Sequence, residues 1–469
     1  MVNSLSNFIL ITISTIFSFL LVVDVVVGAG LMTIAFPLLP RWLTVSVVIG
    51  PICTLFVPYR RKVTITLCVC AIFVPVYGVE LYLETVSYLA PRLDAGRRGI
   101  DFDLRTKNEV VKDLRERGVD AYPLVPLGSI LKSGPDGKFH SKIRVNGIEI
   151  FPLAPAVAGK TTVLCNETGK WLTFQADENG FRNPEGIWSQ QDIQVAIIGD
   201  SFAQGICVEK RYTPASLIGS AVGRTISLGG AAAGPLSQLA VITEYLPKIR
   251  PEHVLWFYFE GNDIENLRLE SKTSVLRNYL SDGFSQGLLG WKNELNDAMS
   301  SAVDTAFKDR SDGMLELRRR VSMISQVLSL RYLQVAFGGG RQISDEELEL
   351  LSNILAEGKK RAASWGGQVT FIYLPDWTSF YSGISSAVSA SQNTSTRLLE
   401  TVHRVGIPVI DIRRAFSKNA KPQEMFSRPG RHYSIKGYQM LADAVTKEFS
   451  ASHTLKAKSR VTQEKGLVQ

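Results

Sequence analysis

The stretch VAIIGDSFAQG, residues 195–205, decides how the rest of the chain is read. Four apolar residues, Val195 to Ile198, run straight into Gly199, Asp200 and Ser201, and Gly205 follows. An apolar run with no polar alternation fits a strand buried on both faces. Such a strand ends on a serine, which is one way to present a nucleophile and also one way to end any strand. What decides between the two is whether the flanking sequence repeats the pattern and supplies a base and an oxyanion site.

Downstream the pattern does repeat. DIQVAIIG, RTISLG, HVLWFYFE, QVTFIYLP and IPVIDI read as strands. Between and after them YTPASLIGSAV, PLSQLAVITEYLPKI, SDEELELLSNILAEGKKRAASW, NTSTRLLETVHRVG and SIKGYQMLADAVTKEFS read as helices. The third of these carries a Ser-x-x-Glu capping signal at Ser344 and Glu347. Short apolar strands alternating with helices indicate a parallel sheet covered on both faces, an α/β three-layer domain over residues 191–450. In such folds the ligand sits beyond the carboxyl ends of the strands. Ser201, Asn262, Asp263 and Asp376 all fall at such ends. Residues 264–342 interrupt the alternation and are an insertion, either a lid, a docking surface or decoration. Residues 85–190 read as an irregular β-rich lead-in, and 451–469 as a flexible polar tail.

A serine nucleophile needs a base within hydrogen-bond reach and donors aimed at the developing oxyanion. The chain has five histidines. His253 begins a strand, His403 lies in a helix, and His140 and His453 lie outside the alternating region or near the tail. His432, in RPGRHYSIKGY, feeds the last helix from the top of the sheet and is the best candidate base. Asp200 reads as holding the Ser201 turn and Asp263 as capping the next segment; Glu260 is either a substrate contact or, more commonly at a strand end, solvated, and Trp256, Trp377 and Tyr373 either stack on sugar rings or, as aromatics on buried strands usually do, form core. No cluster has metal-ligand spacing and no Gly-rich loop cradles phosphate, so neither metal nor cofactor is expected.

GDSF, SLGGAAAGP, FEGND and RHYSIKGY, in that order, resemble the SGNH (GDSL-type) hydrolases over roughly residues 190 to 450. DENGFRNP before the first strand is similar to a membrane-anchored bacterial branch. The resemblance implies Ser201 as nucleophile and His432 as base. It implies an oxyanion hole from the Ser201 N–H, the Asn262 amide and a glycine N–H, with Gly234 chosen and Gly229 and Gly230 as neighbours of similar standing. The chain departs from the family at one point. The aspartate usual two or three residues before the histidine is replaced by Gly430 and Pro429. A backbone carbonyl in SRPGR, Asp411 or Asp376 are the candidate acceptors for the far ring nitrogen of His432.

The first 84 residues differ in texture. Asn7 to Val23, Leu43 to Tyr59 and Val63 to Val79 are 17-residue runs without a charged residue, close to the ~20 residues of a spanning helix. They read as three transmembrane helices anchoring the chain to the bilayer. The basic YRRK loop stays cytoplasmic, which puts the domain on the periplasmic or extracellular side of the inner membrane. Cys165 and Cys207 are the only cysteines beyond the anchor, and an oxidising compartment allows them to pair. The net charge of +8 comes without basic patches interleaved with aromatics, which argues against nucleic acid. The expected function is therefore an esterase or O-acyltransferase on acylated glycan, with a membrane acyl-donor protein as a further partner for transfer. The alternative from another class is a non-catalytic glycan-binding or assembly subunit.

Overall fold

The structure is a computed structural model. It describes residues 58–97, 99–308, 342–380, 385–427 and 431–449, with short pieces between 323 and 333. The first two apolar runs, Pro429, Gly430 and the 451–469 tail lie outside the described residues. Contacts divide the chain into two units, 1–94 with 310–342 and 382–391, and 95–309 with 343–381 and 392–469.

In the first unit the third apolar run lies inside a 39-residue helix, α1 (Tyr59–Arg97). Among the described residues no helix is long and apolar enough to cross a membrane. Large apolar side chains on α1 are nonetheless bare: Leu67 is 64 % exposed and Val74 70 %. Buried Glu80 accepts the Tyr332 and Leu333 N–H groups at 2.5 and 3.2 Å, so the late part of the insertion packs with this helix.

The second unit opens with α2 (Lys107–Glu116), started by a capping box at Thr106 and Glu109. A three-stranded sheet follows, made by β1 (Ala121–Pro123), β2 (Thr161–Cys165) and β3 (Leu172–Gln175), with β2 in the middle. Two small hairpins, 131–141 and 144–149, come between β1 and β2 in the chain. The lead-in is thus an irregular β module, as its broken hydrophobic pattern and its Gly and Pro turns imply.

The main sheet is parallel and five-stranded. In chain order its strands are β4 (Val195–Ile198), β5 (Thr225–Ser227), β6 (His253–Phe259), β7 (Gln368–Leu374) and β8 (Val409–Asp411). In space they run β8-β7-β6-β4-β5, with Val195 opposite both His253 and Thr225. Every residue of β4 is fully buried, because helices cover both faces. On one face α5 (Pro235–Glu244) and α7 (Asp345–Ala363) bury Leu239, Leu351 and Leu355 with Trp256. On the other, α4 (Pro214–Val222) and the last helix, residues 435–449, bury Ile218, Leu441 and Val445 with Phe257. The Ser344–Glu347 capping box starts α7 as read from sequence. Strand order reverses between β4 and β6. That reversal is the crevice where an open α/β sheet receives its ligand, and β4 and β6 are the strands that deliver Ser201 and Asn262.

Candidate active site

Ser201 begins a four-residue helix, α3 (Ser201–Gln204), straight after β4. Two features force that turn. Gly199 has φ +149°, and a Cβ there would stand 2.9 Å from the Phe257 carbonyl oxygen, so no other residue fits. Asp200 is the N-cap: its Oδ1 accepts the Phe202 N–H at 2.8 Å. Burial pushes the Asp200 carboxyl up to about 6 against the opposing pull of that bond, His432 and Asn262. Asp200 thus shapes the turn and does not touch the serine hydroxyl.

Ser201 Oγ lies 2.9 Å from His432 Nε2. The histidine sits in a tight loop. The Ser427 N–H donates to the His432 carbonyl at 2.8 Å, Phe426 bridges to Tyr433, and the Tyr433 hydroxyl donates to the Pro375 carbonyl at 2.8 Å. The second ring nitrogen, Nδ1, lies 2.8 Å from Oε1 of Glu167. This carboxylate, 9 % exposed, also accepts the Ser427 hydroxyl at 2.8 Å on Oε2. Burial alone would raise its pKa. The charge and hydrogen bond of His432, the Ser427 hydroxyl and the Arg431 charge outweigh burial and hold it at about 2. Glu167 is an ionised acceptor for Nδ1–H, and that leaves Nε2 to take the serine proton.

The acceptor therefore differs from the three read from sequence. Asp411 caps a short helix by accepting the Arg413 N–H at 3.0 Å, and Asp376 accepts the Thr378 hydroxyl at 2.8 Å. Each carboxylate is used where a local turn needs it. Glu167 comes from the lead-in, two residues past the end of β2. Cys165, at that strand end, is joined to Cys207, six residues past Ser201, by a disulfide with Cα atoms 5.6 Å apart. The cross-link brings the acid's loop to the nucleophile's loop. Arg182 of the lead-in clamps the same stretch by donating to the Gly205 and Val208 carbonyls at 2.5 and 2.7 Å.

Gly234 is also reassigned. It is the N-cap of α5, and its N–H is taken by Glu270 Oε1 at 2.7 Å. Glu270 further accepts the Leu236 and Ser237 N–H groups at 3.0 and 3.3 Å. Gly230 gives its N–H to the Gly199 carbonyl at 3.1 Å. Gly229 is pressed against the short helix that Ser201 begins: a Cβ there would lie 2.4 Å from the Gln204 nitrogen. Its N–H has only a long bond, 3.4 Å, to the Ser227 hydroxyl. Asn262 caps α6 (Asp263–Glu270) without using its side chain for the cap. That side chain lies beside Asp200, with its Oδ1 buried and unpartnered. Glu260 is not solvated but accepts the Asp376 N–H at 2.8 Å and the Tyr373 and Ser379 hydroxyls. Trp256 is core, its Nε1 donating to Gln238 at 2.5 Å.

A serine after the first strand, a histidine before the last helix and a sheet in the order 2-1-3-4-5 meet at one crevice. This is the arrangement that the SGNH resemblance in the sequence implies. No family model and no curated protein matches the chain. Solved structures do: a lipase/acylhydrolase from Enterococcus faecalis at 13 % identity and TM-score 0.31, covering 55 % of this chain and 97 % of that one. A member of the lipolytic G-D-S-L family from Veillonella parvula is similar at 12 % and 0.32, covering 55 % and 98 %. An acetyl xylan esterase is similar at 11 % and 0.30, covering 55 % and 99 %. The candidate site takes its carboxylate from outside the α/β segment. Proximity in sequence gave no sign of that, and the one available signal was the pair of cysteines flanking Glu167 and Ser201.

Proposed function

We propose that the protein is a serine ester hydrolase or O-acyltransferase that removes or transfers O-acyl groups, acetyl foremost, on exported or envelope polysaccharide. The observation that carries this reading is the continuous chain Ser201 Oγ to His432 Nε2 at 2.9 Å and His432 Nδ1 to Glu167 at 2.8 Å. Ser201 Oγ attacks the acyl carbonyl while its proton passes to Nε2. The imidazolium is stabilised by Glu167, which stays ionised. The oxyanion forms in front of the Ser201 N–H, one of the unpaired donors that head any helix. Gly229 and Asn262 border the same turn, the Asn262 amide lying beside Asp200. His432 then protonates the departing sugar oxygen, leaving an acyl-serine. Water or a second sugar hydroxyl gives its proton to Nε2 and attacks the acyl carbon; the Oγ–acyl bond breaks and Nε2 returns the proton to Ser201 Oγ. Water makes the protein an esterase; a hydroxyl makes it a transferase.

Export is supported by the Cys165–Cys207 disulfide, which belongs to an oxidising compartment, and by the three uncharged runs with bare apolar side chains on α1. The test uses the full chain in detergent, wild type and Ser201→Ala, with p-nitrophenyl acetate and a fluorophosphonate probe. The wild type is expected to turn over and label, and the variant to do neither. If both proteins are folded and equally inert, the catalytic reading fails and a non-catalytic glycan-binding subunit takes its place.

A further inference from the structure

The loop that supplies Glu167 has a second face. Gly169, Lys170 and Trp171 form one wall of a groove of about 520 Å³ that contains neither Ser201 nor His432, a volume in the range of ligand sites. Asp103, Arg105, Asp113 and Arg117 line one side, and Lys170 and Trp171 the other. Arg105 reaches Asp103 at 2.6 Å and Asp113 at 2.9 Å, and Arg117 reaches the same Asp113 at 2.8 Å. The Trp171 ring is fixed at one end by its Nε1–H to the Arg105 carbonyl, 3.1 Å, and packs on the apolar cluster of Val110, Val111 and Val163. It is only partly buried, so it offers rigid apolar area to the groove.

Three carboxylates face three cations among the lining residues. The groove has no surplus positive charge to hold a polyanion, and its polar walls do not suit an acyl chain. Carboxylate and guanidinium edges held side by side are acceptor–donor pairs for vicinal hydroxyls, and a fixed indole suits the C–H face of a sugar ring. The wall is also tied to the catalytic loop. Asn166 Nδ2 donates to the Asp103 carbonyl at 2.8 Å, the Gly169 N–H to Asn166 Oδ1 at 2.9 Å, and the Asp103 N–H to the Gly169 carbonyl at 2.8 Å. Gly169 is two residues from Glu167, so their Cα atoms are at most about 7.6 Å apart.

We infer that this groove is a subsite for an uncharged stretch of the glycan whose acyl group is processed at Ser201. The inference rests on the ester-processing reading above for its kinetic readout and goes beyond it in naming where the glycan lies and of what kind it is. An uncharged chain in the groove passes within a few sugar units of the triad. Longer acylated oligosaccharides are then better substrates than short ones, and the preference depends on Trp171 and Arg117.

The test compares wild type, Trp171→Ala and Arg117→Ala as full chains, on p-nitrophenyl acetate and on acetylated xylo-oligosaccharides of one to six units. In the wild type kcat/KM is expected to rise with length. Each variant is expected to lower the ratio of hexamer to p-nitrophenyl acetate kcat/KM by about tenfold. The small ester separates subsite loss from damage to the Glu167 loop. A flat length series, or a ratio unmoved in both variants, overturns the subsite. Ser201→Ala is also titrated with unacetylated xylohexaose, following tryptophan fluorescence with and without Trp171→Ala. Saturable binding that needs Trp171 supports the groove even if wild type proves inert on every ester, an outcome that sinks only the catalytic reading. Failure to bind xylohexaose while heparin or a peptide pool binds at the same residue overturns the uncharged-glycan assignment.

Discussion

At the scale of single residues the decisive fact is that Glu167 stands at the far ring nitrogen of His432, where the family resemblance implies an aspartate. Its carboxylate is held at about 2, below the ordinary value of about 4.3. A depressed carboxylate adds stability that is fully present above the unfolded pKa and is lost as pH falls through the folded one. Wild type should therefore exceed Glu167→Gln in unfolding free energy by an amount on the order of 3 kcal/mol at pH 7, shrinking between about pH 4.5 and 2. Urea melts at stepped pH measure it. A constant gap across that window would mean that Glu167 is not ionised in the way the geometry implies. In activity, Glu167→Ala should cost about 10²–10⁴ in kcat, because the imidazole loses both its tautomer lock and the counter-charge to its protonated form. Asp376→Asn and Asp411→Asn should stay within about threefold of wild type, since it is Glu167 that meets His432 Nδ1. Equal losses in all three would return the acid to the α/β segment.

At the scale of elements, each catalytic group is set by something simple in the chain. The four buried apolar residues of β4 and the glycine after them were readable as a strand ending on a nucleophile. The alternation from residue 191 on was readable as a parallel sheet, because period and length differ plainly between its strands and helices. Gly199→Ala tests the turn. Its new methyl would meet the Phe257 carbonyl at 2.9 Å with φ at +149°, and a loss of about 2 kcal/mol or more in thermal unfolding is expected. Glu167 was not legible, because no periodicity marks a loop residue that crosses from one module to another. Only the cysteines hinted at the crossing. Gly234 was misread for a related reason. Spacing places a glycine near the oxyanion but cannot show that Glu270, 36 residues on, claims its N–H.

The disulfide gives the element-scale account its strongest check. It closes a loop 42 residues apart in sequence, which in the chain-entropy model stabilises by about 4 kcal/mol. Cys165 is two residues from Glu167, and Cys207 is held at φ +65° in a conformation that a non-glycine residue adopts only under constraint. Cys165→Ser with Cys207→Ser should therefore lose stability in urea melts and lose kcat on p-nitrophenyl acetate as well. The two losses are separable by a double-mutant comparison. In the Glu167→Ala background the cysteine substitutions should lower stability as before but kcat no further. A full additional fall in kcat would show that the bridge acts on Ser201 directly and not through the acid.

At the scale of the whole molecule this cross-link ties catalysis to place. The proposed anchor puts the α/β domain outside the cytoplasm, where thiols oxidise. On the proposed reading the same oxidation fixes Glu167 behind His432, and the triad would be complete only after export. A chain retained on the reducing side would carry a loose acid and a weak base. The prediction is read in intact cells with a full chain in which Cys53, Cys68 and Cys70 are serine, leaving Cys165 and Cys207. After rapid acid quenching, a polyethylene-glycol maleimide should add nothing until a reductant is supplied, and two adducts afterwards. Two adducts without reductant would place the domain in a reducing compartment and overturn the outward orientation. They would also predict that reductant leaves the activity of that material unchanged, since no bridge would then be holding the acid.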